Sequence, residues 1–459
     1  MHFQQFFLSC LAHASYFIGS DGVAVVVDPQ RDVEPYLKEA REGGFRIAYV
    51  IETHLHADFV SGHRELAALT GAQIYLGARS RASFPHVDVR DGDEIRVGKC
   101  RLQFLETPGH TLESISIVVH DEDASSQPRA VMTGDTLFIG DVGRPDLGGD
   151  PKDLAAMLYD SLHEKLLTLP DDVEVFPAHG AGSLCGRAMS QDRSSTIGRE
   201  RRTNYALQAR DKASFVELLT AELPDRPKYF AADVELNRAG APLLSDLREL
   251  QALTTEELLA ALERGAVVLD TRDDEAFSRG HIPGSINISL DGQFASWAGT
   301  ILGLESEVVL IAGDAEQAIE SRMRLARVGI ERIGGYLGGG FEAWQATRMP
   351  IATTRQLDPA AFAAAIAAGG MQIVDVRRDA EWSTGHIDGA RHMPLSSLLA
   401  RLGDIDRTRP IAVHCKSGYR SAIACSLLQR AGFEDIVDLK GGFDAWCEAG
   451  LKPAEAAPV

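Results

Sequence analysis

Between Glu52 and His63 the chain reads Glu-Thr-His-Leu-His-Ala-Asp-Phe-Val-Ser-Gly-His. Three imidazoles and two carboxylates within twelve residues suit a metal ion, because imidazole and carboxylate are ordinary ligands of zinc and non-haem iron. The plainer alternative is a polar loop whose histidines happen to cluster. Three later segments weigh against it. Thr107-Pro108-Gly109-His110-Thr111, Thr133-Gly134-Asp135-Thr136 and Phe176-Pro177-Ala178-His179-Gly180 each set a His or Asp just after a short apolar run. Several strand ends converging on one pocket is how an α/β scaffold builds a metal site from loops. A second chemistry lies at Val413-His414-Cys415-Lys416-Ser417-Gly418-Tyr419-Arg420-Ser421. A loop between a strand and a helix can aim consecutive N–H groups at one point, with the helix N-terminus behind it. Cys415 would be stabilised there as a nucleophilic thiolate. Arg420 and Lys416 add positive charge for an anionic sulfur species. The alternative for Cys415 is a buried structural thiol.

The elements that must position these residues follow from the apolar pattern. Ile47 to Ile51 is a β-branched run that reads as a buried strand, and Ser61 to Thr70 has helical periodicity. Val23 to Val27, Arg101 to Glu106, Ser114 to Val119, Ala130 to Thr133 and Val173 to Phe176 are further strands, several of them ending on the motifs above. After Gly186 the pattern turns helical, over Ser194 to Ala209 and Phe215 to Leu223. His63, on the helix after the first motif, reads as a surface or packing residue. Asn237 to Pro242 marks a boundary, so the first domain is taken as residues 1–239.

The remainder is a duplication. Asp270-Thr271-Arg272 and Gly280-His281-Ile282-Pro283-Gly284 recur 105 positions later as Asp375-Val376-Arg377 and Gly385-His386-Ile387-Asp388-Gly389. Gly339-Gly340-Phe341-Glu342-Ala343-Trp344 recurs after 102 positions at Gly441 to Trp446. Thr254 with Glu257 forms a capping box, and Asp358-Pro359 supplies an N-cap with Pro at N1, so each unit opens with a helix. Strands then alternate with helices, as in a small parallel α/β domain. The limits are 253–350 and 356–452. Asp270, Arg272, Asp375 and Arg377 read as structural ion pairs, and Cys425 and Cys447 as core. The first unit has no thiol where the second has Cys415; Ala312 stands near that place, with Asp314 and Glu316 beside it. The chain from Lys452 to Val459 reads as a disordered tail.

The whole chain, 459 residues with 45% hydrophobic and 24% charged residues, has the composition of a soluble multidomain protein. A net charge of −20 and the scatter of its basic residues argue against nucleic-acid or anionic-membrane partners. No apolar run is long enough to span a bilayer. Met1 to Phe7 lacks a basic leader and a cleavage site, and reads as a first strand. Six scattered cysteines without a C-x-x-C fit a reducing, cytoplasmic compartment.

In order and spacing the four His/Asp segments resemble the metallo-β-lactamase fold, an αββα sandwich, and the D-x-R, G-H-I-x-G and G-G-F-x-x-W repeats resemble rhodanese domains. The expected architecture is α/β throughout: a metallo-β-lactamase sandwich followed by two rhodanese-like parallel domains, the first without the catalytic cysteine. Hydrolases of the sandwich fold use H-x-H-x-D-H to divide ligands between two metals, and here Phe59 follows Asp58. The first domain, including Gly134-Asp135-Thr136-Leu137 and Gly143-Arg144-Pro145-Asp146, is similar to the persulfide dioxygenases. That resemblance implies one Fe(II) per chain held by His54, His110 and Asp135, a 2-His-1-carboxylate face with open positions for O2 and a thiolate-type substrate. It places His56, Asp58 and His179 around the pocket as supporting groups. It makes Arg144 a candidate anchor for the substrate thiol, with a loop-stabilising ion pair as the alternative. Cys185, on a Gly-rich loop after His179, is either a thiol close to the iron or a buried small residue. The implied enzyme oxidises a low-molecular-weight thiol persulfide with O2 to sulfite and thiol, and moves sulfane sulfur through Cys415 to make or use thiosulfate. A thioester hydrolase carrying a rhodanese passenger is the second reading, and a persulfide-sensing or docking module the third. The thiol carrier, the direction of sulfur flow and a possible homo-oligomer stay open.

Overall fold

The structure is a computed structural model that describes every residue except 222, 224–225 and 455–459. The chain divides into two compact units, Met1–Arg248 with Ala326–Gly329, and Glu249–Leu325 with Ile330–Val459.

The first unit holds two six-stranded sheets. One is built from β1 (His2–Leu8), β2 (His13–Ser20), β3 (Val23–Val27), β4 (Arg46–Ile51), β5 (Gln73–Gly77) and β6 (Val87–Val89), in that spatial order. The other runs from β7 (Glu94–Val97) through β8 (Cys100–Glu106), β9 (Ile115–Asp121), β10 (Ala130–Gly134) and β11 (Glu174–Pro177) to β12 (Ser195–Thr196). Alternation along the strands decides the layers, since successive side chains face opposite sides. Tyr16, Ile18, Val25, Val27 and Ile51 meet Leu102, Phe104, Ile117 and Met132 between the sheets. Phe17, Val26 and Val50 instead face the helices carrying Tyr36 and Leu66. Val118, Val131 and Val175 face Leu158, Leu162 and Phe215 on the opposite side. Helix, sheet, sheet, helix is the αββα sandwich expected.

The second unit holds two parallel five-stranded sheets. The first comprises β13 (Ala252–Leu253), β14 (Val267–Asp270), β15 (Ile286–Asn287), β16 (Val308–Ile311) and β17 (Ile333–Leu337), ordered β13-β17-β16-β14-β15. The second repeats that order with β18 (Arg355–Leu357), β19 (Gln372–Asp375), β20 (Ala390–His392), β21 (Ile411–His414) and β22 (Ile436–Leu439). Their cores correspond, Trp344 and Phe341 in one and Trp446 in the other. The Asp–Arg pairs of the D-x-R motifs are formed in both repeats, Arg272 to Asp270 and Arg377 to Asp375 at 2.5 and 2.7 Å.

Several expectations need correction. Ser194 to Ala209 is not one helix: Ser195–Thr196 pairs with β11, and Thr196 then caps a short helix, Ile197–Thr203, by accepting from the Arg199 N–H. A hydroxyl residue that caps ends the extended run and starts the helix at the same place. Each repeat opens with an edge strand, not a helix, because β13 and β18 are too short to show a periodicity. Cys425 is buried, but Cys447 is exposed. Of the tail, Ala454 bridges to His386, and 455–459 lie outside the described residues. Among the described residues no helix is long and apolar enough to cross a membrane.

Candidate metal centre and sulfur-transfer loop

The first site is assembled at the ends of β3, β4, β8, β10 and β11. Asp28, in a left-handed conformation at the end of β3, accepts from the Thr53 N–H and Oγ1 at 2.7 and 2.9 Å. Thr53 Oγ1 in turn lies 3.0 Å from His54 Nδ1, which turns the other ring nitrogen inward. Gly134 must stay a glycine, since its φ is +52° and a Cβ would lie 2.6 Å from Thr53 Oγ1. His110 donates from Nδ1 to the Arg144 carbonyl at 2.9 Å, so Nε2 keeps its lone pair. That Nε2 lies 3.3 Å from Asp135 Oδ2 and has no hydrogen-bond partner, and His54 Nε2 lies 3.8 Å from the same oxygen. His54, His110 and Asp135 thus offer three ligand atoms within 4.8 Å of one another, all buried. Burial presses both imidazoles' pKa values down, which keeps them neutral. Burial pushes the Asp135 carboxyl up, but the neighbouring His179 outweighs it and holds it well below the usual range. Two neutral imidazoles with a free nitrogen and one ionised carboxylate are a chemically fitting set for a divalent transition metal.

Further titratable groups crowd the same strand ends. His179 bridges two carboxylates, with Nδ1 2.7 Å from Asp135 and Nε2 2.9 Å from Asp58. His56, Asp58 and His179 form a second buried cluster, and Asp135, His179 and Cys185 a third. Cys185 is therefore a pocket thiol; burial, with Asp58 and Asp135 nearby, pushes its pKa well up. Arg144 is committed to Asp146 by two bonds of 2.7 and 2.9 Å and donates to the Leu184 carbonyl. Its guanidinium is held in the loop-stabilising arrangement.

Two contributors, Asp28 and His13, lie outside the sequence motifs, and Glu52 opens the first of them. Asp28 and Glu52 flank His56 Nε2 at 3.2 and 3.3 Å. Burial presses the His56 imidazole down, but the two carboxylates outweigh it and hold it at about 10. Glu52 also meets His63 Nδ1 at 3.2 Å, so His63 is a buried member of this network, not a surface residue. His13, at the start of β2, packs on Phe59 with ring centroids 4.2 Å apart and lies 5.5 Å from the His56 ring. A lone histidine heading an apolar strand is the only hint the sequence holds of it.

The second site is the loop after β21. The Gly418 N–H donates to Cys415 Sγ at 3.2 Å, and Gly418 has φ +105°. A helix, Tyr419–Arg430, starts directly behind it. The loop is pinned from below: Phe443 and Asp444 N–H groups donate to the Cys415 and Lys416 carbonyls at 2.7 and 2.9 Å. Arg420 forms a bidentate pair with Glu381 at 2.6 and 2.7 Å. Burial pushes Glu381 up, but Arg420 outweighs it and holds the carboxyl at about 2.

Two family models match the chain: the metallo-beta-lactamase superfamily over residues 8–179, and the rhodanese-like domain over 254–347 and 358–449. The chain is 39% identical over 161 residues to the hydroxyacylglutathione hydrolase of a Polaromonas species, covering 34% of this chain and 57% of that protein. It is 35% identical over 158 residues to the mitochondrial persulfide dioxygenase ETHE1 of Homo sapiens, covering 34% of this chain and 58% of that protein. Both matches thus span less than two thirds of those relatives. A solved Staphylococcus aureus structure described as a metallo-beta-lactamase is 35% identical, with a TM-score of 0.66, and covers 73% of this chain and 98% of its own.

Proposed function

The chain belongs to the metallo-beta-lactamase superfamily and carries two rhodanese-like domains behind that fold, and we propose that it is a persulfide dioxygenase joined to a sulfurtransferase. The domain limits we assign are 1–239, 253–350 and 356–452. The observation that carries the dioxygenase reading is the position after Asp58. Phe59 is fully buried there against His56 and His13, so a second metal would lack a nitrogen ligand, while His54, His110 and Asp135 keep one complete three-ligand face.

One iron held by those three residues would supply open coordination positions and the redox chemistry of oxygen. The protein's own groups do the rest. The Arg144 carbonyl fixes the His110 tautomer, and His179 carries a proton at Nδ1 that holds Asp135 in place. The buried walls keep bulk water out while the substrate sulfur is positioned. In balance, persulfide, O2 and water give thiol, sulfite and two protons. Cys415 would accept a sulfane sulfur and pass it to sulfite, forming thiosulfate, or run the reverse. Both sites draw on one pool of sulfane sulfur, which is a physical reason for the fusion, and the six unpaired cysteines suit a reducing, cytoplasmic setting.

Similarity to the hydroxyacylglutathione hydrolases supports a second reading, a two-metal thioester hydrolase with a sulfurtransferase passenger. Metal analysis of anaerobically purified protein with an oxygen electrode separates the two. The dioxygenase reading requires one iron per chain and persulfide-dependent O2 uptake, both lost in His110→Ala while thiosulfate:cyanide transfer stays. Two zinc ions and rapid thioester hydrolysis would sink it. Coupling predicts thiosulfate from persulfide and O2 alone, with sulfite replacing it in Cys415→Ser.

A further inference from the structure

The cations around Cys415 are not equivalent. Arg420 gives both ends of its guanidinium to Glu381, so that pair is electrically neutral. Lys416 and Arg378 are left as exposed cations whose side chains have no hydrogen-bond or ion-pair partner among the described residues. Arg378 is placed by the sheet. Asp375 of β19 pairs with His414 of β21, and the Val376 N–H donates to the His414 carbonyl at 3.0 Å. The chain after Asp375 and the chain after His414 therefore leave the same sheet edge side by side, one carrying Arg378 and the other Cys415. The Arg378 backbone N–H donates at 2.9 Å to the Glu381 oxygen that Arg420 also grips. Although its side chain reaches solvent, partial burial and the nearby Arg420 press the Arg378 guanidinium down, and Glu381 pulls the other way.

The incoming charge needs such a residue. In the sulfurtransferase reading Cys415 attacks as a thiolate, and Asp274 stands 3.8 Å from where a Gly418 side chain would begin, so a dianion approaches two like charges. The duplication supplies a built-in contrast. The 105-residue offset puts Asp273 where this repeat has Arg378, and the repeat with Asp273 has no thiol to serve.

We propose that Arg378 is the side chain with which the Cys415 site selects a sulfur oxyanion, thiosulfate entering and sulfite leaving, over a persulfide on an uncharged carrier. The proposal rests on the sulfurtransferase reading above. The step balances: the Cys415 thiolate attacks the outer sulfur of thiosulfate, that S–S bond breaks as a new one forms on Cys415, and sulfite leaves with the electron pair. One dianion enters and one departs, and a planar guanidinium can hold two oxygens of either. Lys416 offers only a point charge.

The test uses the full chain with two donors, the dianion thiosulfate and a persulfide on an uncharged alkyl carrier, and cyanide as acceptor. Arg378→Gln should lower the ratio of kcat/KM for thiosulfate to that for the persulfide by on the order of tenfold, mainly through KM. Arg378→Lys should recover part of that ratio, and the glutamine variant should flatten the salt dependence of the thiosulfate reaction. A ratio within twofold of the original, or an equal loss on both donors with a lowered unfolding temperature, overturns the proposal. Cys415→Ser separates the layers: if transfer survives it, the sulfurtransferase assignment of Cys415 fails, whatever Arg378 does.

Discussion

In the repeat that carries Cys415, the sheet edge bears Arg378, Lys416 and Arg420, and the loop points an N–H at a sulfur. The earlier repeat has the same strand order, the same Asp–Arg pair and the same left-handed glycine pair, yet its edge bears Asp273, Asp274, Asp314 and Glu316. Asp314 there caps the helix by accepting from the Gln317 N–H at 2.8 Å, which places a carboxylate where an anion would have to approach. Duplication preserved what the fold needs and let the reactive edge change sign. The scaffold and the chemistry are therefore separable properties of one architecture.

The sharpest way to break this contrast is to exchange the thiols. Cys415→Ser should lower thiosulfate:cyanide transfer by at least about a thousandfold, with iron content unchanged. Ala312→Cys should restore nothing, because an acidic loop repels the donor; measurable transfer by the double variant would show that charge is not what silenced the repeat.

Next in size, the shared ion pairs should behave alike. Arg272→Ala and Arg377→Ala each strand a fully buried aspartate, and each should cost about 3–5 kcal/mol in denaturant unfolding. A large difference between them would mean that one pair has a role beyond structure.

The repeats should part again in their response to pH. Asp438 on β22 is buried, and burial raises its carboxyl to about 7, while the repeat offset places Tyr336 at the matching position. An acid whose folded pKa lies above its unfolded value stabilises the fold fully below about pH 4, and that contribution is lost as pH rises through 7. Stability of the second unit should fall by about 2–3 kcal/mol between pH 5 and 7, and Asp438→Asn should flatten that slope in thermal unfolding.

The smallest contrast concerns glycines. Both Gly340 and Gly442 have positive φ, +62° and +63°. A Cβ at Gly442 would lie 2.5 Å from the Lys416 carbonyl and 2.7 Å from that of Cys415, whereas one at Gly340 would lie 3.0 Å from the Ala312 carbonyl. Each Ala variant should lose about 1–2 kcal/mol. Only Gly442→Ala should also slow sulfur transfer, since only there does the displaced backbone carry Cys415, the proposed nucleophile.

By itself the sequence determined the sandwich, the duplication and the four strand-end motifs, because each rests on short-range spacing or on a repeat offset that survives without coordinates. The strand-end places of His54 and Cys415 were legible for the same reason: each follows a short apolar run. Tertiary structure decided which charges are free. Asp28 reaches His56 across 28 positions, Glu381 reaches Arg420 across 39, and His13 meets His179 from another sheet. Arg144 and Arg420 read alike as available cations, yet each is gripped by a carboxylate, while Arg378 is not. Periodicity says which face of a strand a residue occupies. Strand register and the closeness of two loops say whether its charge is already spent, and those are properties of the packed sheets alone.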